Sequence, residues 1–315
     1  MNKDLIVKDN KLITAKYHLT LTQIKFISFL TSKINRDDKD FFIYTFKIND
    51  ILDVLEIQRT NYKSLRVSLR QLMTKYIIIE DNEDVISETT FLSHFKIDKK
   101  KDTIEIRFDS SLKPFFLELR ARFTKLSLSK ILKFNSQYTI RMYEIIESRV
   151  TVYDKYKNQN LLEFKYDLNE IKEILIGESN GKDTEIKVPK SYNKYNNFKR
   201  KVLDAACNEL KEKGDYYFEY EPIKTGRTYT AIKFTILKNG EKIKKDFHEK
   251  KKLLLQNSTT KALAQEQIRR IIERKKDKIK DRLKYEQKLF QLYLKGELKF
   301  DKDIQEVIDN MGVGF

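Results

Sequence analysis

Residues 190–237 read KSYNKYNNFKRKVLDAACNELKEKGDYYFEYEPIKTGRTYTAIKFTIL, and this stretch decides the fold. A polar, basic entry leads into one helix that Gly214 is expected to end. The apolar face of that helix is predicted at Val202, Leu203, Ala206 and Leu210. Residues 216–220 and 228–237 then indicate two strands, rich in aromatic and β-branched side chains, around a basic turn at residues 221–227. The stretch predicts a helix followed by a hairpin with a cationic tip.

An earlier part of the chain follows the same plan. The segment INDILDVL at residues 48–55 matches LNEIKEIL at residues 168–175, where each segment has an Asn that is expected to cap a short helix with acidic residues near its start. Each short helix leads through a polar turn into a basic helix, at residues 59–66 and at residues 195–201. A short helix, a turn and a basic helix make a helix-turn-helix. Two copies with similar downstream strands indicate a tandem duplication.

These patterns predict an α+β fold of two tandem winged-helix domains related by pseudo-symmetry, with a basic helical extension at the C-terminus. The first domain is assigned to residues 1–125, the second to residues 126–240 and the extension to residues 241–315. A helix at residues 136–149 is expected to bridge the two copies as part of the second domain. The bridging segments are rich in Leu, Ile and Phe, and we therefore expect a packed connection.

Local patterns predict further elements. Thr20 is expected to cap a helix over residues 21–31. Strands are predicted at residues 41–48, 76–80, 89–97 and 103–108. Further helices are predicted at residues 112–122, 126–132 and 261–294. The last of these has an apolar stripe at Ile268, Ile272, Ile279 and Leu283.

Composition restricts the classes of partner. The chain has 315 residues and a net charge of +17, and a protein this basic usually meets nucleic acid or an anionic membrane surface. No apolar run approaches the roughly 20 residues of a membrane span, and the first ten residues lack a signal-peptide core. We therefore expect a cytoplasmic protein. Cys207 is the only cysteine, which excludes a disulfide framework and a thiolate metal site.

Catalytic functions find little support in the sequence. A nickase that cuts DNA with a Tyr would hold its metal with two closely spaced His, whereas His18, His94 and His248 are far apart. Residues 177–183, GESNGKD, are one residue short of a phosphate-binding loop and carry Asp where Ser or Thr would coordinate magnesium. We therefore predict a DNA-binding protein that is not an enzyme and needs no metal or cofactor.

Several motifs resemble those of the iteron-binding replication initiators (Rep proteins) of theta-replicating plasmids. They are FT at residues 123–124, SQYTIRMYEII at residues 136–146, FKRKVLDAA at residues 198–206 and PIKTGR at residues 222–227. The resemblance implies two winged-helix domains that bind direct repeats (iterons) in a plasmid origin as a monomer and an inverted repeat at their own promoter as a dimer. It also implies opening of an A+T-rich region and recruitment of the host initiator and the replicative helicase. A member of this family would be associated with DNA in the bacterial cytoplasm and would have no membrane partner. Residues 241–315 lie beyond the resemblance.

Candidate DNA contacts lie in both copies. A helix fits the major groove, where Arg or Lys reaches guanine and Asn reaches adenine. On the resemblance, the second basic helix would read bases and the second wing would touch the backbone, while the first basic helix would bind another part of the repeat or form the dimer. The candidate residues are Arg59, Asn61, Lys63, Arg66, Lys194, Asn196, Asn197, Lys199, Arg200, Lys224, Arg227 and Tyr229.

The alternative function is that of a winged-helix transcription regulator with no replication role. The sequence alone does not separate the two functions, because initiators also repress. Direct repeats near an A+T-rich tract beside the gene would favour an initiator, and a lone inverted repeat would favour a regulator.

Overall fold

Helices and antiparallel strands alternate along the chain, which confirms the α+β class. The computed structural model describes residues 5–35, 38–54, 62–119, 122–156, 162–178, 187–240, 258–275, 282–294 and 298–305. Residues 1–239 form one compact unit, and residues 240–315 form a second. Among the described residues, no helix combines the length and the apolar character that crossing a bilayer would need.

The start of the chain pairs with a strand more than a hundred residues later. Strand β1, Leu5–Asp9, runs antiparallel to β7, Phe123–Ser127. Helix α1, Asn10–Thr14, follows β1 directly, and the Asp9 carboxylate caps it by accepting from the Lys11 backbone N–H at 2.7 Å. Leu126 pairs with Ile6 in this sheet, although we had predicted that it would lie in a helix. Helix formation starts only after the strand.

Helix α2, Leu21–Thr31, begins at the predicted cap. The Thr20 hydroxyl accepts from the Gln23 backbone N–H at 3.3 Å, and the Gln23 side chain accepts from the Thr20 backbone N–H at 3.1 Å. This reciprocal capping box satisfies two backbone donors that a helix start otherwise leaves unpaired.

The first copy of the repeat forms a helix-turn-helix with a hairpin wing. In chain order it contains β2 (Tyr44–Lys47), α3 (Ile48–Val54), α4 (Tyr62–Met73), β3 (Tyr76–Asp81), β4 (Ile86–Thr90), β5 (Leu92–Asp98) and β6 (Thr103–Phe108). Strand β6 lies between β2 and β5, while β3 pairs with β4 in a separate hairpin. The single strand predicted at residues 89–97 is therefore wrong. The strand breaks at Phe91, because the residues before it pair with β3 and those after it pair with β6. The Phe91 ring is buried in the core, edge-on to Tyr17 at 5.1 Å between centroids.

The connection between the copies is packed. A short 3-10 turn, Ser110–Leu112, leads into α5 (Lys113–Phe116), and after β7 come α6 (Leu128–Lys133) and α7 (Gln137–Tyr156). The helix predicted at residues 112–122 is thus shorter than expected, since the chain must extend again to pair as β7. Helix α7 is the predicted bridging helix, and it runs seven residues beyond the predicted end at residue 149.

The second copy repeats the arrangement. It contains β8 (Glu163–Asp167), α8 (Leu168–Ile176), a 3-10 turn (Lys190–Tyr192), α9 (Tyr195–Phe198), a π-helical segment (Lys199–Asp204), α10 (Ala205–Lys213), β9 (Tyr216–Thr225) and β10 (Thr228–Lys238). We call the continuous helical run over residues 195–213 the recognition helix. Gly214 follows its last residue, as predicted. Strand β10 lies between β8 and β9.

The hairpin of the second copy is longer than predicted. Residues 221–225 belong to β9, and only Gly226 and Arg227 form the turn. Gly226 has φ of 63°, in the left-handed region that a glycine adopts at little cost. Pro222 does not break the strand, because β9 is an edge strand of the described sheet and a missing N–H is tolerated there.

The helix caps that we predicted at the two Asn residues are wrong. Helix α8 is capped by Asp167, whose carboxylate accepts from the N–H of Asn169 at 2.8 Å. In the first copy, α3 already begins at Ile48, whose N–H donates to the Asp102 carbonyl at 3.2 Å. Asn49 and Asn169 therefore lie within the first turns. In both copies the strand passes directly into the helix, so that the helix begins two residues earlier than the predicted caps implied.

A buried polar network ties the start of the chain to α7. Lys8 Nζ lies 2.6 Å from Glu144 Oε1, and Arg141 Nη1 donates to Glu144 Oε2 at 3.0 Å. Lys8, Arg141 and Glu144 are 1%, 3% and 0% exposed. Arg141 also donates to the Tyr17 hydroxyl and, at 2.8 Å, to the Ala15 carbonyl. Because burying unpaired charges is costly, these partners fix β1 and the segment after α1 against α7.

The extension forms a small core of its own. Its helices Ser258–Arg274 and Arg282–Leu294 pack together and bury Ala264, Ile268, Ile272, Leu289, Tyr293 and Leu298. The single helix predicted over residues 261–294 is therefore wrong. Ile279 and the side chain of Leu283 lie outside the described residues. Arg274 Nη2 pairs with Asp301 at 2.6 Å, which holds the following segment to the first of these helices.

The buried network predicts a large stability effect. We expect Glu144→Gln to lower the free energy of unfolding by about 3–5 kcal/mol, because it leaves two buried cations without their anion. Glu163→Gln is the matched control, since it breaks a 2.7 Å pair with Lys233 in which both side chains are about half exposed; its cost should stay below about 1 kcal/mol. Urea denaturation measures the free energy of unfolding of both variants. Equal losses would contradict the role given to the network.

Candidate nucleic-acid interface

The wing is attached to the start of the recognition helix by stacked side chains. The rings of Tyr195, at the helix start, and Tyr229, in β10, stack with centroids 4.2 Å apart and an angle of 26°. The Lys224 ammonium lies 4.6 Å from the Tyr229 centroid. Ring stacking and the cation–π contact each favour this arrangement. We call Tyr195, Tyr229 and Lys224 the helix–wing column.

The tyrosines of the column hold the Lys224 ammonium without placing a negative charge beside it. Tyr195 is 9% exposed, and burial, with smaller contributions from Tyr229 and Asp204, raises the pKa of its hydroxyl to about 12. The hydroxyl therefore remains neutral across the physiological range. Lys224 itself is exposed, as is Arg227 at the hairpin turn. The column thus presents positive charge at the wing beside the helix start.

The recognition helix has a buried face and an exposed basic face. Val202, Leu203, Ala206 and Leu210 are all fully buried, which confirms the predicted apolar face. Lys194, Asn196, Lys199 and Arg200 are exposed. Asn197 is only partly exposed, because its side-chain amide donates to the Ser191 carbonyl at 2.8 Å. Asn197 is thus engaged within the protein, in contrast to Asn196.

One of the exposed cations is held in an ion pair that the sequence did not suggest. Lys199 Nζ lies 3.0 Å from Asp204 Oδ2. The same carboxylate accepts a hydrogen bond from the Tyr220 hydroxyl of β9. We had assigned no role to Asp204 or Tyr220, because an ion pair at a spacing of five residues is not a pattern of an α-helix.

The first copy presents a similar but simpler arrangement. In α4, Leu65, Leu69 and Leu72 are fully buried. Lys63 and Arg66 are exposed. Lys99, at the tip of the β5–β6 hairpin, lies 5.2 Å from the ring centroid of Tyr62 at the helix start. Both copies therefore place a hairpin lysine against an aromatic ring that packs at the start of the basic helix. Arg59 and Asn61 lie outside the described residues.

The hairpin tip of the first copy is fixed by its own backbone contacts. The Asp98 carboxylate accepts from the N–H groups of Lys100 and Lys101, each at 3.1 Å. Asp102 has φ of 52°, a left-handed conformation that Asp tolerates better than most residues. This turn leaves three consecutive lysines, Lys99 to Lys101, exposed at the tip. The contact between Lys99 and Tyr62 was not predictable from the sequence, because the two residues are 37 positions apart.

Potential metal and thiol chemistry receives no geometric support in the described part of the chain. No three His, Cys, Asp or Glu side chains within those ranges converge as a metal site requires. The Cys207 thiol is buried and lies 3.0 Å from the Phe218 carbonyl, and burial raises its pKa. Gly177 follows the last residue of α8, and residues 179–183 of the segment compared with a phosphate-binding motif lie outside the described residues.

Two curated proteins of Escherichia coli are similar in sequence to this chain. The first, named "PI protein", is 28% identical over 148 residues, which is 45% of this chain and 46% of the relative. The second, named "Replication initiation protein", is 25% identical over 188 residues, 57% of either chain. The chain thus matches about half the length of these relatives.

A solved structure shares the fold. The chain resembles the protein in "Crystal structure of Pi initiator protein in complex with iteron DNA" with a TM-score of 0.54 and 20% sequence identity. The match covers 76% of this chain and 99% of the other. At this identity the likeness shows the fold alone.

Two family descriptions match consecutive parts of the chain. "Initiator Replication protein, WH1" matches residues 5–147, and "Initiator Rep protein, WH2" matches residues 185–236. Together they span most of the unit formed by residues 1–239, and they agree with the two winged helices described above. The chain therefore belongs to the initiator replication protein family, with a WH1 and a WH2 winged-helix domain.

Proposed function

We propose that this protein initiates plasmid replication by binding direct repeats in the plasmid origin through both of its winged helices. The helix–wing column is the observation that carries the proposal, because it joins the start of a basic helix to a cationic wing. This connection holds the wing beside the helix start, where it can meet the DNA backbone next to the major groove. Family membership and the iteron DNA of the structural relative support the choice of origin repeats.

Base reading is assigned to the exposed face of the recognition helix. Asn196 and Arg200 are exposed there, and their side chains match adenine and guanine in the major groove. Lys199 joins them on the same part of the helix. Lys224 and Arg227 are assigned to phosphates, because contacts to the backbone position a protein without reading sequence. In the first copy, Lys63 and Arg66 are assigned to a second part of the same repeat.

The later steps follow from the same proposal. Bound to several repeats, the protein would open an adjacent A+T-rich tract and recruit the host initiator and the replicative helicase. As a dimer it would repress its own promoter at an inverted repeat. Each of these roles requires only binding, so we propose no catalytic step, no cofactor and a cytoplasmic location on DNA. The domain division at residues 125 and 240 remains part of this proposal.

Salt dependence separates the two kinds of contact. Log K for origin-repeat duplex should fall against log salt with a slope of about −0.9 per phosphate contact, for on the order of 8 contacts. Lys224→Ala should weaken binding to every duplex alike and reduce the slope by about one unit. Arg200→Ala should instead lose about 1–3 kcal/mol of base discrimination. Fluorescence anisotropy at several salt concentrations measures the affinity, the salt slope and the base discrimination of each variant.

Lys211→Ala is the matched control. It removes an exposed lysine from the recognition helix, about 16 Å along the helix from Arg200. Its affinity, slope and discrimination should equal those of the unmodified protein. If Lys224→Ala altered the preference at one base and left the slope unchanged, the wing assignment would be wrong.

A replication assay tests the function itself. A plasmid that carries the gene and its adjacent direct repeats as the sole origin should transform the host, because the protein supplies initiation. The Arg200→Ala and Lys224→Ala double variant should abolish transformation, whereas Lys211→Ala should not. Binding of the repeats without any transformants would identify a transcription regulator instead of an initiator.

A further inference from the structure

The recognition helix departs from α-helical geometry where it carries its basic residues. Its segment Lys199–Asp204 is π-helical. The fully buried residues Phe198, Val202, Ala206 and Leu210 recur every four positions. In a regular α-helix this stripe would rotate by about 40° at each step, because four residues advance the side chain by about 400°. The wider π turn compensates for this rotation, and the buried stripe stays against the core.

The same wide turn creates the ion pair of Lys199 with Asp204. In an α-helix, residues five apart point about 140° away from each other. A π turn closes hydrogen bonds between residues five apart and therefore stacks them on one side. Lys199 Nζ accordingly lies 3.0 Å and 3.4 Å from the two carboxylate oxygens of Asp204. The pair depends on the π segment.

Asp204 is in turn fixed by the sheet. The Tyr220 hydroxyl donates to Asp204 Oδ1. The Tyr220 ring packs beside Phe218 and Phe234, with centroid distances of 6.0 Å and 6.4 Å. Burial, together with the Asp204 carboxylate, raises the pKa of the Tyr220 hydroxyl, which therefore stays a donor. A residue of β9 thus determines where the Asp204 carboxylate lies.

We propose that Asp204 is a positioning residue for base recognition, which holds the Lys199 ammonium at one place on the exposed face of the recognition helix. This inference rests on the proposed function, in which that face enters the major groove. A lysine ammonium is a point charge on a flexible stem and has no preferred geometry of its own. Paired with Asp204, Lys199 reaches one base acceptor. Released from Asp204, it contacts whichever phosphate is nearest.

The ion pair also keeps Lys199 away from phosphates. While Asp204 holds the ammonium, Lys199 cannot move to the nearest phosphate of an unmatched sequence. Asp204 therefore costs affinity for DNA in general and increases the difference between the right and the wrong sequence. A residue that only stabilised the π turn would change the affinity for the right sequence and the affinity for the wrong sequence by the same factor.

The test uses the full-length protein and two probes. One probe is a duplex with a single copy of the best site selected from random duplexes, and the other is a scrambled duplex of the same length. We expect Asp204→Asn to bind the scrambled duplex more tightly and to reduce the ratio of the two affinities about tenfold, within the range of couplings between contacting residues. Tyr220→Phe keeps the ring and should reduce the ratio by a smaller factor.

A double-mutant cycle identifies Lys199 as the group through which Asp204 acts. In a Lys199→Gln background, Asp204→Asn should change the ratio by less than about twofold, because the positioned ammonium is already gone. Glu212→Gln removes the same charge from an exposed position of the same helix and should leave the ratio unchanged. Thermal melting of every variant verifies that it is folded.

Different outcomes overturn different statements. If Asp204→Asn lowers the ratio equally with and without Lys199, the effect is general electrostatics and the inference is wrong. It is also wrong if Asp204→Asn and Tyr220→Phe both melt like the unmodified protein and leave the ratio unchanged. If the unmodified protein itself fails to prefer any selected duplex over the scrambled one, the proposed function fails, and this inference fails with it.

Discussion

The structure depends on the burial of the Glu144 carboxylate between Lys8 and Arg141. An unpaired charge at this depth would cost several kcal/mol, so both cations must be present and correctly placed. Lys8 comes from the first strand of the chain, while Arg141 and Glu144 lie on the bridging helix α7. Arg141 also reaches the Ile174 carbonyl of α8 at 3.5 Å. One buried group therefore orders the start of the first winged helix, the bridge and the second helix-turn-helix.

The bridge holds the two winged helices in one arrangement. A partly buried ion pair of Lys16 with Glu173, at 2.7 Å, adds a second connection between the segment after α1 and α8. With both basic helices held in one arrangement, DNA binding does not have to order one domain against the other. Preorganisation of this kind raises affinity because less freedom is lost on binding. We therefore propose that the two basic helices bind one DNA repeat.

Elements governed by local spacing were predictable from the sequence, and those governed by distant partners were not. The apolar face containing Leu203 follows from helical periodicity, and the cap at Thr20 follows from a four-residue motif. By contrast, the pairing of β1 with β7 depends on residues more than a hundred positions apart. Pro222 indicated a turn, but the edge position of its strand, which the sequence does not reveal, tolerates it. The ion pair of Asp204 with Lys199 was not predictable, because it needs a π turn that the sequence does not indicate.

Footprinting on a duplex with a single direct repeat tests the central claim most directly. Arg66→Ala and Arg200→Ala remove exposed cations from the basic helices of the first and the second copy. If one rigid unit reads one repeat with both helices, each variant should lose protection over a different part of the repeat while remaining folded. If Arg66→Ala left the single-repeat footprint unchanged, the first winged helix would not bind that repeat. The claim that both basic helices bind one repeat would then be contradicted.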